Sequence, residues 1–237
     1  MQKPKVEIQE VSHETDSVEE HANVLFKPNE GPQTEFLASS EREVLYGGSA
    51  GGGKSYAMLA DPLRYMGHPQ FSGLLLRHTT EELRELIFKS QELYPKIWPG
   101  IKWSERKMQW TAPSGARLWM SYLDRDEDVL RYQGLAFSWI GFDELTQWAT
   151  PYAWNYMRSR LRSTATDLPI FMRATTNPGG RGHHWVKKMF IDPSPYNRSF
   201  DATDIDTTEV LRYPAGHSKA GKPLFKRRFI PARLSDN

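Results

Sequence analysis

Eight consecutive residues, Gly48-Ser49-Ala50-Gly51-Gly52-Gly53-Lys54-Ser55, set glycines in front of a lysine and a hydroxyl. They fit the pattern G-x-x-x-x-G-K-[ST] at every fixed position. Glycines let successive backbone N–H groups turn inward around an anion without Cβ clashes. Lys54 then adds a point charge for the β- and γ-phosphates of a nucleotide, and the Ser55 hydroxyl ligates Mg²⁺. A helix that starts here presents its positive end to the same anion. All eight residues are therefore candidates for binding ATP.

A second stretch, Ser138-Trp139-Ile140-Gly141-Phe142-Asp143-Glu144, is apolar and closes on two acids. In an open α/β sheet, ligands gather at the carboxyl ends of strands. Asp143 is accordingly a candidate for the Mg²⁺ shell with Ser55. Glu144 is the candidate base that polarises a water for γ-phosphoryl transfer. An acidic pair at a strand end also suits simple capping of the next helix, and the phosphate-binding pattern upstream selects the catalytic reading. A glutamate placed for water argues against a kinase, whose base must meet a substrate hydroxyl. The third stretch is Arg173-Ala174-Thr175-Thr176-Asn177-Pro178-Gly179-Gly180. Small polar groups end a strand there, and Thr175, Thr176 and Asn177 are placed to sense a γ-phosphate and pull on the next segment of chain.

These residues need a frame. Apolar periodicity predicts a short helix over 33–39, a buried strand over 43–47, a helix over 55–66, a strand over 73–77 and a helix over 80–94. A hairpin comes next, with arms at 107–110 and 116–122 about the turn Pro113-Ser114-Gly115. Further along come a strand over 137–142, a helix over 151–162 and a strand over 169–175. Strands alternating with helices imply a largely parallel sheet covered on both faces. The expected fold is α/β, a P-loop NTPase domain of the additional-strand, RecA-like class with a β-hairpin insertion, spanning residues 26–237. Residues 1–25 are polar and acidic and read as a mobile arm.

Composition bounds the rest. The 237 residues are 38% hydrophobic and 25% charged, which fits a globular protein, and no apolar run approaches the length of a membrane span. Cysteine is absent, so disulfides and thiolate zinc sites are excluded and a reducing cytoplasm is the natural setting. A net charge of +2 does not announce a nucleic-acid binder. Acids concentrate in 7–20, and Lys226, Arg227, Arg228 and Arg233 crowd the other end, a basic tail that merely permits DNA contact. His183-His184 has no acidic or cysteine partner nearby, and Asp201, Asp204, Asp206 and Glu209 read as a polar loop rather than a nuclease centre. The tryptophans sit within apolar stretches and read as core.

The three motifs, in this order, resemble the motor domain of phage terminase large subunits. The phosphate loop is similar to that family's Walker A, Phe142-Asp143-Glu144 to its Walker B with catalytic glutamate, and Thr175-Thr176-Asn177-Pro178 to its coupling motif. Gly31-Pro32-Gln33-Thr34-Glu35-Phe36 resembles its adenine-recognition segment, with Gln33 reading the base edge. Leu75-Leu76-Arg77-His78-Thr79, Arg131-Tyr132-Gln133-Gly134-Leu135-Ala136-Phe137 and Arg228-Phe229-Ile230-Pro231-Ala232 are similar as well. The resemblance implies ATP hydrolysis that powers translocation of double-stranded viral DNA into a procapsid. It also implies a ring of subunits on a portal protein, a small terminase subunit as partner, and action in the host cytoplasm. Arg131 best matches the arginine that reaches into a neighbour's site, and Arg77 is a further candidate for a phosphate or DNA contact.

Two departures stand out. The phosphate loop carries no basic residue before Lys54, so charge compensation must come from Lys54, the metal and an arginine elsewhere. The chain also ends at Asn237, before the acidic constellation of the family's RNase H-like nuclease, so nuclease activity is not expected. Two other readings share the fold, a helicase or recombinase-like DNA-dependent ATPase and a nucleotide-gated assembly module with little turnover as a monomer.

Overall fold

The structure is a computed structural model, and it describes residues 26–49 and 53–232. The expectations for the acidic arm, for Ala50, Gly51 and Gly52 and for Arg233 lie outside the described residues.

In chain order the strands are β1 (Glu43–Gly48), β2 (Ser72–Arg77), β3 (Lys102–Ser104), β4 (Gln109–Thr111), β5 (Arg117–Tyr122), β6 (Trp139–Phe142), β7 (Phe171–Thr176), β8 (Phe200–Asp201) and β9 (Lys226–Ala232). The helices are α1 (Pro32–Ala38), α2 (Lys54–Ala60), α3 (Thr80–Ile97), α4 (Tyr152–Arg158) and α5 (His183–Val186). The strands form one sheet in the order β3-β4-β5-β2-β6-β7-β1-β9-β8. From β5 to β9 every pairing is parallel, with antiparallel strands only at the two margins.

Period-two alternation decides which side chains face which layer. Leu45, Leu74, Leu76, Ile140, Phe142, Met172 and Ala174 pack to one side with Trp148, Trp154 and Met157. Val44, Tyr46, Leu75 and Trp139 pack to the other, against Met58 and Leu59 of α2 and Leu83 and Leu86 of α3. Because the parallel strands are covered on both faces, they read as near-continuous apolar runs. Trp110, Trp139, Trp148, Trp154 and Trp185 are buried in these layers.

Three local expectations change. The hairpin is not a free insertion. Its second arm, β5, pairs parallel with β2 from Ser72↔Arg117 to Arg77↔Tyr122, so the hairpin widens the main sheet. The helix expected over 55–66 stops at Ala60 and tightens into a 3-10 turn over Asp61–Tyr65, since Pro62 has no N–H to continue the ladder. The helix expected over 151–162 ends at Arg158. By contrast α3 runs to Ile97, launched by a capping box in which Thr79 Oγ1 accepts from the Glu82 N–H at 3.3 Å and Glu82 Oε2 accepts from the Thr79 N–H at 3.4 Å.

Three residues of the basic tail, Lys226, Arg227 and Arg228, lie in strand β9 and are paired with acids. Strand β9 lies beside β1 with Glu43 opposite Arg227. Arg227, 1% exposed, donates to Glu43 Oε2 at 2.7 Å and to the Thr203 carbonyl at 2.7 Å, and Arg158 pairs with the same carboxylate. Arg228 reaches Glu35 at 2.8 Å and Lys226 reaches Asp201 at 2.7 Å. These charges hold the edge of the sheet in place.

Candidate active site

Strand β1 delivers the chain to the phosphate loop, and α2 receives it at Lys54. Gly53 takes a left-handed φ of 62°, which favours glycine. A side-chain carbon built there would also lie 2.5 Å from Gln33 Nε2. That amide is engaged within the chain at both ends: Nε2 donates to the Gly53 carbonyl at 2.9 Å, and Oε1 accepts from the Asn29 N–H at 2.5 Å. Gln33 thus ties the segment before α1 to the last turn of the loop. The buried Lys54 ammonium donates to the Ser49 carbonyl at 2.5 Å, across the loop.

The acids arrive from β6. Asp143 is fully buried, and its N–H bonds the Leu76 carbonyl at 3.0 Å, extending the ladder to β2 by one residue. One carboxylate oxygen accepts from the Thr175 hydroxyl. The other lies 3.5 Å from Ser55 Oγ and 2.9 Å from Arg77 Nε. Residues 88 positions apart are thereby brought together as an oxygen-donor pair. Hydroxyl and carboxylate oxygens are the donors a hard ion such as Mg²⁺ prefers, so the pair fits that metal. Among the described residues no three of His, Asp and Glu gather into a metal-binding cluster.

Glu144 occupies a left-handed conformation, φ 61° and ψ 55°, uncommon for a residue with a side chain and worth about 1–3 kcal/mol of strain. Neighbours hold it there. Its N–H donates to Thr175 Oγ1 at 3.0 Å, and its carboxylate accepts from the Asn177 N–H at 3.1 Å and from Asn177 Nδ2 at 2.7 Å. Thr176 Oγ1 meets Thr146 Oγ1 at 2.9 Å, and the Gly182 N–H reaches the Thr146 carbonyl at 2.7 Å. The segment after β7 is thus strapped to the segment after β6.

A cleft of about 290 Å³ opens between these parts, lined by Gly53, Lys54, Ser55, Tyr56, Lys89, Glu144 and Asn177. Burial pushes the Glu144 carboxyl above the ordinary range and Asp143 adds to the effect, while Arg77, Asn177 and Lys54 oppose it incompletely. Burial likewise pulls the Lys54 ammonium down, against the two carboxylates. These are the directions expected of a base and a cation confined together in a half-dry cleft.

Sequence reasoning missed three features. Tyr56 and Lys89 line the cleft, with the Lys89 ammonium 5.8 Å from the Tyr56 ring, yet nothing in their local pattern singles them out. Asn177, read as part of a coupling motif, is also the group that grips Glu144. Gln147 donates to Glu82 at 2.7 Å, joining the segment after β6 to the cap of α3. Arg131 stands apart from the cleft lining. Its side chain is 46% exposed and donates to the Tyr122 and Asp128 carbonyls at 2.7 and 3.2 Å.

The fold and site define a class. Strand β7, which bears Thr175, lies between the strand that feeds the phosphate loop and the strand that leads into Asp143 and Glu144. That inserted strand marks a P-loop NTPase fold of the additional-strand type. The family model described as terminase large subunit, T4likevirus-type, N-terminal, matches residues 45–216, and the chain belongs to this family. Among solved structures, an arginine-substituted mutant of the large terminase ATPase domain of Thermus phage P74-26 superposes with a TM-score of 0.57 at 12% identity, covering 89% of this chain and 83% of that one. The unsubstituted ATPase domain from the same phage gives 0.54 at 12% identity, over 87% and 81%. A large terminase from a thermophilic bacteriophage gives 0.52 at 18% identity, over 69% of this chain and 43% of its own. At these identities the likeness is one of fold. A comparison with curated proteins finds no match. No helix among the described residues is long and apolar enough to cross a membrane.

Proposed function

We propose that this chain hydrolyses ATP to drive double-stranded DNA into a viral procapsid. The observation that carries the reading is the convergence on one cleft of Lys54 and Ser55 from the start of α2, Glu144 from the end of β6 and Asn177 from the end of β7. When bound, Mg²⁺·ATP supplies the phosphoanhydride bond and the neutralising metal. Ser55 and Asp143 would hold the metal side, Lys54 would place its charge on the phosphates, and the glycine-rich motif before it would supply backbone N–H groups to them. Glu144 orients the attacking water, its carboxylate aimed by Asn177. A change at Glu144 passes to Asn177 and, through Thr146, to the segment leading into α5, a short route for coupling hydrolysis to movement.

Gln33 braces the loop in this scheme and, as the adenine-recognition residue, reads the base edge. Arg131, exposed and away from the lining of its own cleft, is the residue we assign to act on a neighbouring subunit of a ring. DNA contact is to the phosphate backbone, weak in sequence preference and sensitive to salt. The portal protein and the small terminase subunit are the partners proposed, in the host cytoplasm.

The test is steady-state ATP turnover by wild type and Lys54→Ala, with and without duplex DNA and across protein concentration. Wild type should turn over ATP with a rate per subunit that rises with concentration, and Lys54→Ala should fall by roughly a hundredfold or more, the scale of losing a preorganised charge on the transferring group. Equal rates in the two proteins would refute the assignment.

A further inference from the structure

The phosphate loop has no basic residue before Lys54, and the fold supplies one from another strand. Arg77 closes β2, which pairs with β6 up to Leu76↔Phe142, so Arg77 stands beside Asp143. The residue is only 8% exposed. Removing a guanidinium from water costs several kcal/mol unless its partners are good, and here they are incomplete. Nε lies 2.9 Å from Asp143 Oδ2, yet the contact is not a well-aligned hydrogen bond and Nε has no other partner. The same oxygen is the one that Ser55 Oγ approaches at 3.5 Å. Arg77 also acts electrostatically on Glu144, which lines the cleft. Lys89, the other cation besides Lys54 at the cleft, is already paired with Glu85 at 2.6 Å.

We propose that Arg77 is a phosphate-sensing positioning residue, the same-subunit positive charge that the loop does not carry. This rests on the nucleotide reading of the cleft. Asp143 Oδ2 does not serve a metal ion and the Arg77 guanidinium equally well, because a magnesium ligand sits at ~2.0–2.1 Å and displaces a competing cation. Metal binding at Asp143 would free Arg77, which is not itself part of the cleft lining. Of the carboxylates that feel its charge, Glu85 is paired with Lys89 and Glu144 is held by Asn177, which leaves the terminal phosphate as the anion for it to meet. With a diphosphate that partner is missing, and Arg77 stays on Asp143. The exchange distinguishes ATP from ADP at the base of β6, one peptide from Glu144.

Binding of ATPγS and ADP, each competing with a fluorescent ADP analogue over a Mg²⁺ series, tests the exchange without turnover. Wild type should prefer ATPγS. Arg77→Met should lose that preference by roughly tenfold or more, the effect of one charge-assisted hydrogen bond, and should need less Mg²⁺ for half-maximal binding because the competitor is gone. Arg77→Lys, which keeps a cation beside Asp143, should keep part of the preference and a Mg²⁺ requirement closer to that of wild type. A folded Arg77→Met with the wild-type ATPγS-to-ADP ratio overturns the proposal. If Arg77→Met does not fold, Arg77→Gln decides, and an ATPγS-to-ADP ratio equal to wild type overturns it. Wild type that binds neither nucleotide overturns the cleft reading and the proposal with it.

Discussion

Replacing Glu144 by glutamine should lower ATP turnover by about 10²–10⁴-fold, the contribution of a positioned general base, while nucleotide binding stays near wild type. The substitution keeps shape and volume. Of the two Asn177 donors, one keeps an acceptor in the glutamine Oε1 and the other meets an amide NH₂, so one of the two contacts is lost while the other and the Thr175 bond to the backbone N–H hold residue 144. What disappears is the carboxylate that takes a proton from water. The pH profile adds a second signature. Burial and the neighbouring Asp143 raise the Glu144 carboxyl, and a raised acid remains protonated to higher pH. The acid limb of turnover should therefore lie above the ordinary carboxylate range, and the residual rate of Glu144→Gln should lack that limb. Steady-state phosphate release over a pH series, with binding of a fluorescent nucleotide measured alongside, checks both. A variant with wild-type turnover would remove Glu144 from the chemistry.

The largest effect on stability should come from Glu43→Ala. Glu43 is fully buried between Arg227 on β9 and Arg158 at the end of α4. Truncating it leaves Arg227 in the interior with the Thr203 carbonyl and the Phe190 and Phe225 rings but no counter-charge in direct contact among the described residues, a cost of about 3–5 kcal/mol for breaking a buried ion pair from one side. Burial pushes the Glu43 carboxyl up, but the two guanidinium groups outweigh it and hold it below the usual range. With the folded-state pKa depressed, this contribution is fully present above the unfolded carboxylate value and is lost as pH falls through the folded one. Wild type should accordingly lose stability on acidification in a step that Glu43→Ala lacks. Urea unfolding midpoints of both proteins from pH 7 to pH 3 measure this. A shift worth less than about 1 kcal/mol at neutral pH would mean that the pair contributes no more than a surface one.

Range along the chain separates the features that the sequence discloses from those it hides. The phosphate loop is legible because backbone geometry at Gly53 demands glycine and the hydroxyl and ammonium must come immediately after. The acids at 143 and 144 are legible because an apolar strand ends on them. Helix α3 announces its own start through Thr79 and Glu82. The hidden features are those in which distant residues meet. Nothing local to Lys226, Arg227 and Arg228 says that their strand lies against Glu43, so three basic residues in a row read as a tail that permits DNA contact. Arg77 reads as a candidate phosphate or DNA contact, but its partner Asp143 is known only once β2 and β6 lie side by side. Asn177 gives no sign in the sequence that both its donors meet the Glu144 carboxylate. The hairpin at 107–122 is visible as a hairpin, whereas its fusion to β2 depends on a parallel pairing with a strand some 45 residues earlier, Ser72↔Arg117.

The central claim is that Lys54 and Glu144 serve one triphosphate. A crystal structure of the protein with a non-hydrolysable ATP analogue and Mg²⁺ measures this most directly. The terminal phosphate should lie within hydrogen-bonding reach of the Lys54 ammonium, with Glu144 on its far side and room for one water between them. A nucleotide bound elsewhere, or bound in this cleft with its terminal phosphate pointing away from Glu144, would contradict the account.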